Sequence, residues 1–327
     1  MNISVILCTY NRAGSLPTAL ESVVSSRLPS SVEWEVLVVD NNSSDDTRAV
    51  AERFCHTHPN RVRYIFEPLQ GKSNALNRGI REARGEILAF VDDDVTADPN
   101  WLVELTAPLL KQDAWVGVGG RILPPPAFRP PLWMALEGPN AVSGVLALFD
   151  LGPKGFELTE PPYGTNMAFR KQVFEKYGGF RVDLGPCPGS EIRGEDTEFG
   201  RRILGAGERL WYQPSAIVCH PVTENRLKQQ YFLRFFFDHG RAMIREHGEG
   251  GPIWAIRRCY FKFLNIAIVR LPPRILRWLF DPVAQRRFHS KVMVWMTYGQ
   301  LMQLGQICLH PAKSPEQRPS TQPAPGK

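Results

Sequence analysis

At 327 residues, with 43% hydrophobic and 22% charged residues, the chain can bury a large core and is neither fibrous nor of low complexity. Its six cysteines (Cys8, Cys55, Cys187, Cys219, Cys259, Cys308) are scattered without a C-x-x-C pair, which argues against a disulfide framework or a zinc site and fits a reducing cytosol. The net charge of +6 is uneven: residues 1–224 carry 22 Lys and Arg against 28 Asp and Glu, whereas residues 225–310 carry 14 against 4. An acidic front and a basic rear imply two surfaces, one for a metal and one for something anionic.

In chain order, Ile3–Thr9 reads as a buried strand that begins almost at the N-terminus, leaving no room for a secretory signal, and a helix from Leu16 to Ser25 follows. Trp34–Asp40 is a second buried strand, with Ser44 or Asp45 placed to cap a helix towards Phe54. Val62–Phe66 is a third strand, and Gln70–Arg84 a loop and helix. Strands alternating with helices predict an α/β fold with a mostly parallel sheet and helices on both faces.

The stretch that organises this half is Glu86–Pro99, in which the apolar run Ile87–Val91 ends in Asp92, Asp93 and Asp94. Ligands in open α/β sheets bind outside the carboxyl ends of strands. Three acids packed there repel one another unless a cation sits among them, and a hard divalent ion that also holds a diphosphate is the natural occupant. A solvated turn, with Asp98 as N-cap and Pro99 at the first helical position, explains those two residues but not the triplet. Neither standard phosphate loop is present. Phe66 stands where a P-loop ahead of Gly71–Ser73 needs glycine, and the first turn is Thr9-Tyr10-Asn11-Arg12 rather than a glycine-rich fingerprint.

Further on, Val116–Gly120 reads as a strand, Pro124–Pro131 as a loop, and 133–158 has no assignable pattern. Gly164–Arg170 is a strand, followed by a helix ending at Tyr177-Gly178. Leu184–Gly194, rich in Gly and Pro, reads as a mobile loop ahead of a helix over Gly194–Leu204, and Leu210–His220 is another strand. From Arg226 the pattern becomes basic, aromatic and helical. No run reaches 18 uncharged apolar residues, so an interfacial amphipathic segment, or helices packed on the domain, is expected in place of a membrane span. The tail 311–327, rich in Pro, Gln and Ser, is expected to be disordered.

Taken together, seven segments resemble the family-2 glycosyltransferases, inverting enzymes of the GT-A fold. They are Ser4–Arg12, Val38–Thr47, Gly71–Ile80, V-D-D-D at Val91–Asp94, G-T-N-M-A-F-R at Gly164–Arg170, G-E-D-T-E-F at Gly194–Phe199, and His220. The resemblance covers residues 1–222 and implies sugar transfer from a nucleotide donor with Mn²⁺ or Mg²⁺. It makes 1–222 the GT-A glycosyltransferase domain and leaves 223–310 as a helical extension and 311–327 as the tail.

The resemblance also assigns roles. Thr9, Asn11 and Arg12 lie where the family's nucleotide binds, and Asp40 would accept a hydrogen bond from the base. Lys72, Asn74 and Asn77 would reach donor phosphates or ribose. Asp92 and Asp94 match the family's D-x-D element, with Asp94 on the metal, Asp92 on ribose or the metal's water, and Asp93 beside them. His220 matches a position that in some members is a third metal ligand and is otherwise structural. Asp196, next to Glu195, matches the family's general base, although both acids also suit a helix N-terminus.

The expected function is thus hexosyltransferase-type transfer, from a UDP-sugar or similar donor to a hydroxyl of a lipid or glycan acceptor. It would take place in the cytoplasm, peripheral on the inner face of a membrane, with the anionic surface met through 225–310 and no nucleic acid involved. Two readings compete: a sugar-phosphate nucleotidyltransferase, which would want a glycine-rich basic loop after the first strand, and a non-catalytic glycan- or nucleotide-binding protein.

Overall fold

A computed structural model describes residues 2–187, 193–246, 261 and 263–309. The tail 311–327 and residues 188–192 of the Gly- and Pro-rich loop therefore lie outside the described residues. The strands are β1 (Ile3–Thr9), β2 (Trp34–Asp40), β3 (Val62–Phe66), β4 (Ile87–Asp92), β5 (Thr96–Ala97), β6 (Gly117–Leu123), β7 (Phe156–Leu158), β8 (Asn166–Arg170) and β9 (Leu210–Cys219). The helices are α1 (Leu16–Val24), α2 (Thr47–Thr57), α3 (Lys72–Glu82), α4 (Trp101–Lys111), α5 (Lys171–Tyr177), α6 (Glu195–Gly205), α7 (Gln229–Glu246), α8 (Leu271–Phe280) and α9 (Ala284–Leu309).

All the strands join one sheet in the order β3-β2-β1-β4-β8-β6-β9-β5, with β7 paired to β9. The apolar runs of β1, β2 and β4 are buried along almost their whole length, as strands covered on both faces must be. β1 to β4 pair in parallel, and so do β6 and β9; β8 runs antiparallel to both β4 and β6, and β5 and β7 are antiparallel to β9. The sheet is therefore mixed, with parallel pairing predominating as expected and the antiparallel β8 set between its two parallel parts. An apolar run encodes burial but not direction, so the reversal at β8 had no local signal. Helix α4 starts at Trp101, later than the expected Asp98 cap; Asp98 instead accepts a hydrogen bond from the Asn100 N–H within the preceding turn.

Beyond β9 the chain does not hang free. Met134, Val142, Val145, Leu146 and Leu148, from the stretch without a sequence pattern, share a buried cluster with Phe232 of α7 and Phe288 and Val292 of α9. Helices α7 and α9 cross where Gly240 meets the Met296 carbonyl and Gly299 meets that of Phe237, and a Cβ at either glycine would collide with backbone. That crossing brings part of α7 over the carboxyl ends of β1 and β4.

Candidate active site

A cleft of about 790 Å³ opens outside the ends of β1 and β4. Thr9, Tyr10, Arg12, Asn41, Lys72 and the three aspartates line one side, and Tyr163, Thr165, Glu195, Asp196, His220 and Arg226 continue the wall. Its volume suits a substrate of nucleotide-sugar size.

The acid triplet is divided among different partners because successive side chains leave the strand end in different directions. Asp92 Oδ1 accepts from Lys72 Nζ at 2.7 Å, and Asp92 Oδ2 accepts from Thr165 Oγ1 at 2.7 Å. Burial alone would raise the Asp92 pKa, but the Lys72 ammonium and the Thr165 hydroxyl hold it well below the usual carboxylate range. Burial, reinforced by Asp92 and Asp94, pushes Asp93 up to about 6, although Arg12 Nε lies 3.8 Å from its Oδ1. Asp94 faces three cationic or imidazole groups: Arg12 Nη2 at 4.0 Å, Arg226 Nη2 at 3.7 Å and His220 Nε2 at 3.6 Å.

One ligand atom from each of Asp92, Asp94 and His220 falls within 4.8 Å of the others. Burial lowers the His220 pKa, which keeps the imidazole neutral with a lone pair to donate. Two carboxylates and a neutral imidazole fit a divalent cation such as Mn²⁺.

Further along the cleft wall, Gly194 (φ +116°) turns the chain into α6, so Glu195 and Asp196 occupy its first turn. Asp196 Oδ2 accepts from the Gly164 N–H at 2.7 Å, and Oδ1 from the Thr197 N–H at 2.7 Å. Both hydrogen bonds fix the carboxylate while leaving it on the cleft wall. Glu195 is buried behind it, its pKa raised by burial and by Asp196, with Lys72 Nζ 4.0 Å away. Lys72, although half-buried, is kept protonated by Asp92 and Glu195.

Four expected donor contacts are not on the cleft. Asp40 is 1% exposed, its oxygens taken by the Ser43 N–H at 3.0 Å and the Tyr64 hydroxyl at 2.8 Å, because it ends a strand buried beside β3. Its neighbour Asn41 lines the cleft in its place. Asn11, at φ +52°, turns its side-chain Oδ1 onto the Ser44 N–H, from which it accepts at 2.8 Å. Asn74 donates to the Gln70 carbonyl, just ahead of its own helix. Asn77 brackets Phe180 by donating to its carbonyl and accepting from its N–H, both at 2.8 Å. On α3, positions 74 and 77 face away from the side that carries Lys72 into the site.

Residues that sequence reasoning passed over complete the cleft. Arg226 is one; an acid triplet with only Arg12 and Lys72 near it was the available signal for a further cation. Thr165, Tyr163 and the 141–147 segment are others, as are Phe235, Phe236 and His239 of α7. Arg193 stacks over Phe235, 5.4 Å from its ring centroid.

A mixed sheet with a carboxylate-imidazole cluster at a strand end, and a fixed carboxylate from a helix start in the same cleft, is the architecture of a GT-A glycosyltransferase. The profile described as Glycosyl transferase family 2 matches residues 4–178, and the chain belongs to that family. Glycosyltransferase AglE of Haloferax volcanii is 30% identical over 231 residues, 70% of each chain. The succinoglycan biosynthesis protein ExoM of Rhizobium meliloti is 28% identical over 76% of this chain and 77% of its own. Among solved structures, the mannosyltransferase PcManGT from Pyrobaculum calidifontis, in complex with GDP-Man and Mn²⁺, matches with TM-score 0.59 at 20% identity, over 95% of this chain and 88% of its own. S. aureus TarS 1–349 in complex with UDP-GlcNAc matches with TM-score 0.52 at 16% identity, over 95% and 91%.

Proposed function

We propose that the protein is an inverting, metal-assisted glycosyltransferase that moves a sugar from a nucleotide-sugar donor, a UDP-sugar first, to a hydroxyl of a lipid or glycan acceptor. The observation that carries this reading is that one cleft is lined by both the Asp92–Asp94–His220 cluster and the doubly held Asp196 carboxylate. The two solved neighbours named above hold GDP-Man and UDP-GlcNAc, which supports the donor class.

In this reading the acceptor oxygen attacks the anomeric carbon from the side opposite the diphosphate and loses its proton to Asp196 as the sugar–phosphate bond breaks. The Gly164 N–H, by fixing Asp196 Oδ2, holds the base in line. Arg12, Lys72 and Arg226 face the charge that develops on the departing nucleoside diphosphate. Asp92, Asp94 and His220 would hold Mn²⁺ or Mg²⁺, which supplies Lewis-acid neutralisation of that leaving group. The reading includes work in the cytoplasm at the inner face of a membrane; the excess of basic residues over 225–310 supports it.

Calorimetric titration with UDP and GDP, each with and without Mn²⁺, tests the donor side in the wild type and in Asp94→Ala. Mn²⁺-dependent UDP binding that disappears in the variant is the expected result. Absence of binding to either nucleotide by folded wild type sinks the proposal, and hydrolysis of a UDP-sugar with release of the α-to-β inverted sugar separates an enzyme from a binding protein.

A further inference from the structure

Among the described residues, α8 has its polarity reversed relative to a helix that faces water. Its inner side carries charge: Arg274 donates to the Met293 carbonyl and the Thr297 hydroxyl of α9, while Trp278 meets Trp295 edge-on at 5.7 Å. Its outer side carries Leu276, Leu279 and Phe280, which are 57%, 56% and 76% exposed. The π-helical turn Asn265–Arg270 leading into it adds exposed Ile268 and Val269. Positions 272, 276, 279 and 280 repeat at helical spacing, so Pro272 extends one continuous apolar stripe along α8.

We infer that this stripe docks on a lipid bilayer whose surface carries anionic headgroups. Three observations favour that occupant. Arg270 and Arg277 are exposed beside the stripe, and from 250 to 310 nine basic residues meet a single acid, Asp281. A second copy packed through the same face would bring these arginines against one another with only Asp281 to offset them, whereas anionic lipid supplies the opposite charge. A helix with an apolar side, flanking arginines and aromatic residues, too short and too polar to span, is the form that lies in the headgroup boundary, and among the described residues no helix is long and apolar enough to cross a membrane. The inference deepens the membrane-surface part of the function proposed above and names the face that makes the contact. Because α8 packs on α9, and α9 on α7, docking there fixes how the α7 wall of the cleft is presented to the surface.

The test is flotation of the full chain with vesicles of phosphatidylcholine alone and with added phosphatidylglycerol, alongside sedimentation velocity of the lipid-free protein. Binding to the anionic vesicles is expected, lost at least about tenfold in Leu276→Asp/Phe280→Asp, whose changes lie on the outer face. Arg270→Gln/Arg277→Gln should weaken it about fivefold per arginine and remove its salt sensitivity. Failure of folded wild type to float with anionic vesicles overturns the inference, as does a dimer in solution that Phe280→Asp dissociates. UDP titration of the same variants keeps the two proposals apart: unchanged nucleotide binding with lost flotation leaves the donor site standing, and intact flotation with no nucleotide binding leaves the docking face standing.

Discussion

Lys72 Nζ lies 2.7 Å from Asp92 Oδ1 and is the side chain that ties α3 to the end of β4. It leaves the first helical position after Gly71, whose φ of +130° and N–H bond to Asn41 Oδ1 at 2.7 Å set where the helix begins. Replacing Lys72 with Met should leave the half-buried Asp92 and the buried Glu195 without their shared counter-charge. The expected result is a fall in kcat/KM of roughly 10²–10³, the scale for losing one preorganised electrostatic contact, with Lys72→Arg recovering only part of it. Steady-state kinetics on the two variants checks this.

Asp196→Asn keeps the acceptor of the Gly164 N–H but loses the proton sink. Turnover should drop about 10²–10⁴-fold while nucleotide affinity stays at the wild-type value. A parallel loss of nucleotide affinity would mean that Asp196 positions the donor instead.

Chelation should abolish transfer, with activity returning on addition of Mn²⁺. His220→Ala should raise the Mn²⁺ concentration required by more than the roughly 10–100-fold that loss of an outer partner costs. An unchanged Mn²⁺ requirement would make His220 a packing residue that Arg226 rests on.

Asn77→Ala should behave differently from Lys72→Met although both sit on α3. Removing both hydrogen bonds to Phe180 should cost about 1–3 kcal/mol of stability, read from urea unfolding, with KM for the donor unaffected. A raised KM without loss of stability would restore the donor contact that the resemblance assigned to it.

Glu35 gives a pH signature far from the cleft. Burial opposes its ionisation, but Arg63, the Arg84 N–H and the Ser4 hydroxyl outweigh that and hold its pKa below 4.5. A carboxyl depressed in the folded state contributes stability that is present above the unfolded value and lost as pH falls through the folded one. Glu35→Gln should therefore cost on the order of 1.5–3 kcal/mol at neutral pH and flatten the loss of stability below about pH 4.5. Urea midpoints measured across that range decide it.

The parts legible in the sequence were those that local chemistry dictates. β1, β2 and β3 end where their apolar runs end, and Asp92–Asp94, Asp196 and His220 meet in one cleft as their motifs implied. Asp40, Asn11, Asn74 and Asn77 show the limit: a motif places a residue near a site, but which way its side chain turns depends on partners distant in the chain, such as Tyr64 or Phe180. Arg226, Phe235 and the 141–147 wall were invisible for the same reason. Their arrival at the cleft is set by helix packing, and nothing in their own neighbourhood encodes it.

The glycine-to-backbone crossing of α7 and α9 also limits how this protein can be re-engineered. With no side chain between the two backbones, their separation is already minimal and cannot be tuned by gradual changes at the contact; a single methyl at position 240 or 299 would wedge the helices apart and shift Phe235, Phe236 and His239 together. A library meant to alter what enters the cleft should vary those three positions and 141–147, and leave the two glycines untouched.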